Sequence, residues 1–489
     1  MYENTTISRL HFAMLKKVIL QLNKENYEAL HKELSQNRGE KFSKLLELYR
    51  ETELEDEAIR EKIGINSAAF YALKSRLLDK TQEYLFRIAS DNRGDLLKNI
   101  SSVPQLVNNT PRETAISLLE HLETELIKAD LPRELSSVYN GLKKLHLHTE
   151  QYYHFQQLYN KSVAYSLAID KGEDLLCSFN RELGYFLLSG DRSKIDVLGL
   201  YIKELRHLND LYNSHRLKSC LYLATISFSL FSGNENDIPE TEETTETLLK
   251  RFLEILENNS EDRQYKFLIT AWHFLNFEYY HGLNLHKNSV ASYEKVNQDL
   301  AKFLLLGHTC PAPQFLLSKI EHELQNKKSS TLWKEYSENG IVPSTQNSME
   351  YVFYSLYAAT CLFHSEKYQE GAGILNTCLN EISFKNYPFA EFQVKLFQTL
   401  LLLLTKKTEN AEILFRSVSR KLQSEDFSSQ FPQAAAFSKF LKIAINDNSD
   451  GKLKKLNNAY NTFSLVNTGQ YRFLKFVTLN ENHFRILAK

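Results

Sequence analysis

Apolar positions recur along this chain at intervals of three and four residues, the period of a helix with one buried face. In the segment 351–382, YVFYSLYAATCLFHSEKYQEGAGILNTCLNEI, a polar break at His-Ser-Glu-Lys divides two amphipathic stretches. In the second stretch Tyr368, Gly371, Leu375 and Cys378 fall at spacings of 3, 4 and 3. The same frame returns at Tyr152, Phe155, Tyr159 and Ser162, and at Ile195, Leu198, Ile202 and Leu205. It recurs at His286, Ser289, Tyr293 and Val296, at Thr408, Ala411, Phe415 and Val418, and at Leu453, Leu456, Tyr460 and Phe463. Weaker copies can be placed around Thr245 and Leu332. The second residues of the frames run from 155 to 456 in seven steps with a mean of 43 residues. Two helices of four to five turns joined by a short turn need about that length. The pattern therefore predicts an α-solenoid of helical hairpins.

The first hundred residues read differently. Amphipathic helices are predicted over 7–22, 25–36, 40–51, 54–63 and 66–90, and the break at Asn92-Arg93-Gly94-Asp95 sets a boundary between a helical domain over 1–95 and the repeats over 96–489. Thr110 before Pro111 suits the start of the helix containing Leu118 and Leu119. Between 234 and 246, six carboxylates occur with no basic residue, which reads as a solvated loop running into a helix, or an acidic partner-binding loop.

Composition supports a helical protein. Across 489 residues there are only 16 glycines and 9 prolines, too few for the turns of an all-β chain. The formal charge of -1 supplies no global field toward nucleic acid or an anionic membrane. No apolar run approaches the roughly 20 residues of a membrane span, and the N-terminus carries no secretory pattern. Five cysteines without close pairs (Cys177, Cys220, Cys310, Cys361 and Cys378) fit a reducing compartment, so a cytoplasmic location is expected.

The 351–382 unit resembles a tetratricopeptide repeat (TPR), with Ala359 as the small residue of the first helix and Tyr368, Gly371, Leu375 and Cys378 in the second. Thr399 and Ala444 match the same small position, whereas Phe186, Phe277 and Ile320 occupy it in other hairpins, and the period exceeds the usual 34. The resemblance implies a right-handed, TPR-like solenoid whose concave groove holds a protein or peptide. Within the first helix of one hairpin, Trp272, Phe274, Asn276, Tyr280 and His281 offer the aromatic and polar mixture of such grooves.

A second resemblance lies at 53–78, which is similar to the helix-turn-helix of DNA-binding domains, with Gly64 at the turn, Ile65 as core plug and Asn66 or Ser67 as cap. Lys74, Arg76 and Lys80 are the residues that would meet nucleic acid. Against this, the early turns of the second helix offer Ala68, Ala69, Tyr71 and Ala72, and residues 1–100 carry a net charge of only +1. Phe70, Leu73, Leu77, Tyr84, Leu85 and Ile88 form the expected buried stripe, opposite Arg76, Asp79, Lys80, Glu83 and Arg87. The whole layout resembles bacterial peptide-responsive transcription factors, which makes a regulator the alternative to a scaffold.

Other chemistry is sparse. The segment from Gly451 to Lys489 has a net charge of +6 interleaved with Tyr471, Phe473, Phe476 and Phe484, which suits a terminal amphipathic repeat and, secondarily, an acidic ligand. Glu28 with His31 and Glu278 with His281 have the spacing of half a di-iron site, while His146 and His148 point apart on a helix. Cys310, in His308-Thr309-Cys310-Pro311, reads as a helix entry. No P-loop, GxGxxG, GxSxG or HExxH occurs, and the chain is expected to be non-enzymatic, without cofactor or metal.

Overall fold

The computed structural model describes residues 15–16, 18–20, 22, 24–36, 40–52, 54–89, 94–232, 243–260, 263–325, 343–424, 427–447, 449–468 and 472–488. Every regular element among them is helical. Most of the acidic stretch at 234–246, the weak frame at Leu332, Tyr471 and the side chains of Arg87 and Ile88 lie outside the described residues.

Two compact units are present, Met1–Glu125 with Ser137–Tyr152, and Leu126–Ser136 with Tyr153–Lys489. The first contains α1 (Lys24–Gln36), α2 (Glu40–Glu51), α3 (Asp56–Ile63), α4 (Ser67–Ala89), α5 (Gly94–Ser101) and α6 (Val103–Asn109). It also holds most of α7 (Arg112–Lys128), which begins just after Pro111, and of α8 (Pro132–Leu145). Leu30 and Leu34 of α1, Leu45 and Tyr49 of α2, Ile59 of α3, and Phe70 and Leu77 of α4 share one core. Gly64 joins α3 to α4 at φ 72°, where its N–H bonds to the carbonyls of Arg60 and Glu61, and Asn66 Oδ1 accepts from Ala69 N at 2.8 Å. In the predicted stripe of α4, Phe70, Leu77 and Tyr84 are buried and Leu73 and Leu85 half-buried, with Arg76, Asp79, Lys80 and Glu83 exposed.

The second unit takes nearly all of α9 (Gln151–Ser189), followed by α10 (Ser193–Tyr212), α11 (His215–Phe231), α12 (Thr245–Asn258), α13 (Arg263–Gly282), α14 (His286–Gln298), α15 (Leu300–Leu304) and α16 (Phe315–Gln325). Then come α17 (Ser348–His364), α18 (Tyr368–Glu381), α19 (Pro388–Leu404), α20 (Thr408–Ser424), α21 (Phe427–Gln430), α22 (Pro432–Asn446), α23 (Lys452–Val466) and α24 (Glu481–Ala488). Successive helices pack pairwise, α13 on α14, α17 on α18, α19 on α20 and α22 on α23. In each of the six clear frames the second and fourth residues are buried, from Phe155 and Ser162 to Leu456 and Phe463. The weak copy at Thr245 behaves likewise, with its second and fourth residues, Thr245 and Phe252, buried.

Three hairpins close in the same way. Asn284, Glu366 and Lys406 adopt left-handed φ of 58°, 59° and 60°, and the next residue's N–H reaches back five positions, Leu285 to Tyr280, Lys367 to Leu362 and Lys407 to Leu402. This is the Schellman closure, reached here without glycine. The glycine of the 351–382 hairpin also has a visible reason: a Cβ built on Gly371 would lie 3.3 Å from the Ala359 carbonyl and 3.2 Å from Leu401. One feature departs from regular hairpins. The Tyr152–Ser162 frame and Phe186 belong to a single 39-residue helix, because nothing between them stops it. No proline intervenes, and Gly172 sits where a Cβ would strike Leu217 rather than at a helix end.

Candidate functional site

The middle of α9 places Cys177, Asn180, Arg181, Gly184 and Leu188 along one face, at the three- and four-residue spacing of a helix. Within the second unit that face borders a groove of about 530 Å³, completed by the turn carrying Gly307, His308 and Pro311 and by the start of α17. Asn347 fixes that start by accepting a hydrogen bond from Glu350 N at 3.2 Å. Tyr185 and Tyr387 meet edge to face at the groove, 5.7 Å between ring centres. Gly184 leaves room for Met349, whose sulfur would lie 2.8 Å from any Cβ there.

Cys177 and His308 also line a second, more apolar cavity of about 140 Å³, with Leu176, Leu223 and Leu268 among its walls. Asn180 lines the groove beside Cys177 and His308. It is only 7% exposed, its Nδ2 donates to the His308 carbonyl at 3.0 Å, and its Oδ1 is buried without a hydrogen-bond partner. At the cavity edge Arg216 faces Asp130, which also accepts from His215 at 3.1 Å. Burial pushes the Cys220 thiol up to about 12, and burial with nearby Asp174 and Glu173 raises that of Cys177, the only exposed cysteine of the five.

A separate buried cluster of charge surrounds Glu321. Its carboxylate meets Arg472, Lys475 at 3.4 Å and His281 at 3.5 Å. Burial raises its pKa, yet the His281 bond and the Lys475 and Arg472 charges prevail and hold it at about 2. Beside it the Glu278 carboxyl is pushed above its ordinary value, chiefly by burial.

The five residues predicted to line a partner groove are engaged in packing, and none lines the two cavities above. Trp272 donates its Nε1–H to the Leu249 carbonyl at 2.8 Å, and Asn276 donates to Ser292 Oγ at 2.9 Å. Phe274 has no exposed surface and packs against Phe231, Phe303 and Phe315. Tyr280 reaches Glu246 at 3.5 Å, and His281 joins the Glu321 cluster. These side chains point from α13 toward several different neighbours, so they present no common surface. Their mixed character comes from a helix surrounded on most sides.

Of the nucleic-acid candidates, Lys74 is 2% exposed and donates to Asp56 Oδ2 at 2.5 Å, with its Nζ over the rings of Tyr49 and Phe70. It has no surface to offer a phosphate. Arg76 and Lys80 are exposed, and Lys80 lies 5.8 Å from the Phe42 ring centre.

The remaining sequence signals resolve into packing. His31 pairs with Glu47 at 2.6 Å. No group of three or more His, Cys, Asp or Glu that could hold a metal ion occurs among the described residues. Cys310 is buried just before a 3₁₀ turn, Ala312–Gln314, that leads into α16. Phe473, Phe476 and Phe484 turn inward, while Arg472 and Lys475 meet Glu321.

The residues of α9 that face the cavities carried no sequence signal beyond the helical period, because their neighbours come from around 308 and 349. No helix among the described residues is long and apolar enough to cross a membrane. No family model, no curated protein and no solved structure matches this chain.

Proposed function

We propose that the second unit is a right-handed, TPR-like solenoid acting as a non-catalytic scaffold that binds a protein or peptide. The observation that carries this reading is the pair of adjoining cavities along α9, joined at Cys177 and His308. The larger lies within the size range of ligand sites and mixes amide, guanidinium and aromatic groups with apolar ones. The repeated hairpin closures at Asn284, Glu366 and Lys406 support the solenoid. Five cysteines, none of them in a disulfide, support a cytoplasmic setting. The test is selection of peptides from a displayed library on the purified full chain. Binders should enrich and lose affinity when Gly184→Trp fills the groove; absence of enrichment, or binding indifferent to that change, overturns the reading.

The alternative is a transcriptional regulator that contacts nucleic acid through α3 and α4. It rests on the left-handed turn at Gly64 and on the exposed Arg76 and Lys80. Salt-sensitive retention of duplex DNA, lost in Arg76→Glu with Lys80→Glu, would favour it over the scaffold.

A further inference from the structure

Resting on the peptide-binding reading, the geometry points to a specific division of labour between the two cavities. We propose that the 140 Å³ cavity is an anchor pocket for one leucine- or phenylalanine-sized side chain of an extended peptide whose main chain lies in the adjoining groove. Three observations converge on this occupant. The pocket's volume is close to that of an apolar cavity able to hold a benzene ring, about 150 Å³. Its walls are Leu176, Leu223 and Leu268 together with buried Ser219, Tyr265 and Thr309, whose hydroxyls are already bonded within the protein, while the exposed Glu173 suits the mouth. On the groove side of the wall that Cys177 and His308 share between the two sits Asn180, nine-tenths buried, with its amide N–H spent on the His308 carbonyl and its Oδ1 unpartnered. Such an atom is costly to bury unless something bonds to it. The N–H of a residue whose side chain enters the pocket is a donor of the right kind at the right place. Buried apolar anchors of this type dominate recognition of extended segments, with the flanking main chain setting register.

Cys177 at the junction reports occupancy without any added label, since the other four cysteines are buried. The rate of its modification by a disulfide reagent is measured with N-acetyl-leucinamide, N-acetyl-phenylalaninamide or N-acetyl-alaninamide present. The leucine and phenylalanine probes should protect at concentrations about tenfold or more below the alanine probe, given the extra carbons each buries. Leu223→Ala, which enlarges the pocket, should shift the preference toward N-acetyl-tryptophanamide, and Asn180→Leu should weaken all probes while the fold is checked by circular dichroism. Equal protection by all three probes, or an unchanged preference in Leu223→Ala, overturns the anchor. Library peptides that compete at Gly184 but ignore changes at Leu223 would sink the anchor and leave the groove reading standing. Failure of both probes and library removes both.

Discussion

Lys74 and Asp56, eighteen residues apart, form an ion pair at 2.5 Å with the lysine enclosed between Tyr49 and Phe70. Tyr49 donates its hydroxyl to the other Asp56 oxygen at 2.7 Å, so one carboxylate ties α2, α3 and α4 together. The lysine is therefore part of the first unit's core.

Reversing that charge with Lys74→Glu would set two carboxylates against each other in the enclosed position. The first unit should lose about 3 kcal/mol or more, read by urea denaturation. Arg76→Glu and Lys80→Glu, on the exposed face, should leave stability nearly unchanged. They are the clean probes of nucleic-acid binding, and an equally mild effect of Lys74→Glu would contradict the enclosed geometry.

At Gly371, a side chain would press on backbone. Gly371→Val should cost about 1–3 kcal/mol through contact with the Ala359 carbonyl and Leu401. Gly184→Ala should be much milder, because the atom it meets is the end of the flexible Met349 side chain. Melting temperatures of the two variants would separate these cases.

The hairpin closures carry a stabilising opportunity. Glu366 and Lys406 are exposed and hold left-handed φ that costs a non-glycine residue about 1 kcal/mol. Lys406→Gly should raise stability by about 0.5–1 kcal/mol in chemical denaturation. A loss instead would mean that its side chain does more than tolerate the turn.

Acid should open the second unit through Glu321. Its folded pKa of about 2 lies below the ordinary 4.5, so its ion pairs contribute fully above 4.5 and are lost as the pH falls from there toward 2. The shift corresponds to about 3 kcal/mol. Glu321→Gln should be less stable at neutral pH and show a flatter stability profile over that window, in denaturation series at successive pH values.

Thiol accessibility is equally specific. One cysteine, Cys177, should react in the native protein, and the other four only after unfolding, since all are buried and the thiols of Cys220 and Cys310 are pushed up to about 12. A second fast thiol under native conditions would show that one of the buried positions opens.

Much of the architecture is written locally. Leu198, Ile202 and Leu205 record in their spacing which side of α10 is buried, and the predicted segment 66–90 is found as Ser67–Ala89. What sequence could not reveal depends on partners far along the chain. Lys74 looks like any surface lysine until Asp56 and Tyr49 are placed around it. Trp272 and Asn276 look like ligand-binding groups until α12 and α14 claim their donors. The groove along α9 exists only once 177–188 meet 307–313 and 346–349, a juxtaposition with no local signature. Hairpin ends were equally hard to read, since Glu366 and Lys406 take a conformation usually marked by glycine.

The cluster around Glu321 also bears on how the chain is made. Its two cations, Arg472 and Lys475, lie about 150 residues downstream of the carboxylate they neutralise. During synthesis, α16 emerges long before them, and its acid can be enclosed without penalty only when the last segment arrives. Nascent and prematurely ended chains thus share a defect that full-length chains lack, a carboxylate that resists burial and holds that part of the interior open to chaperones and proteases.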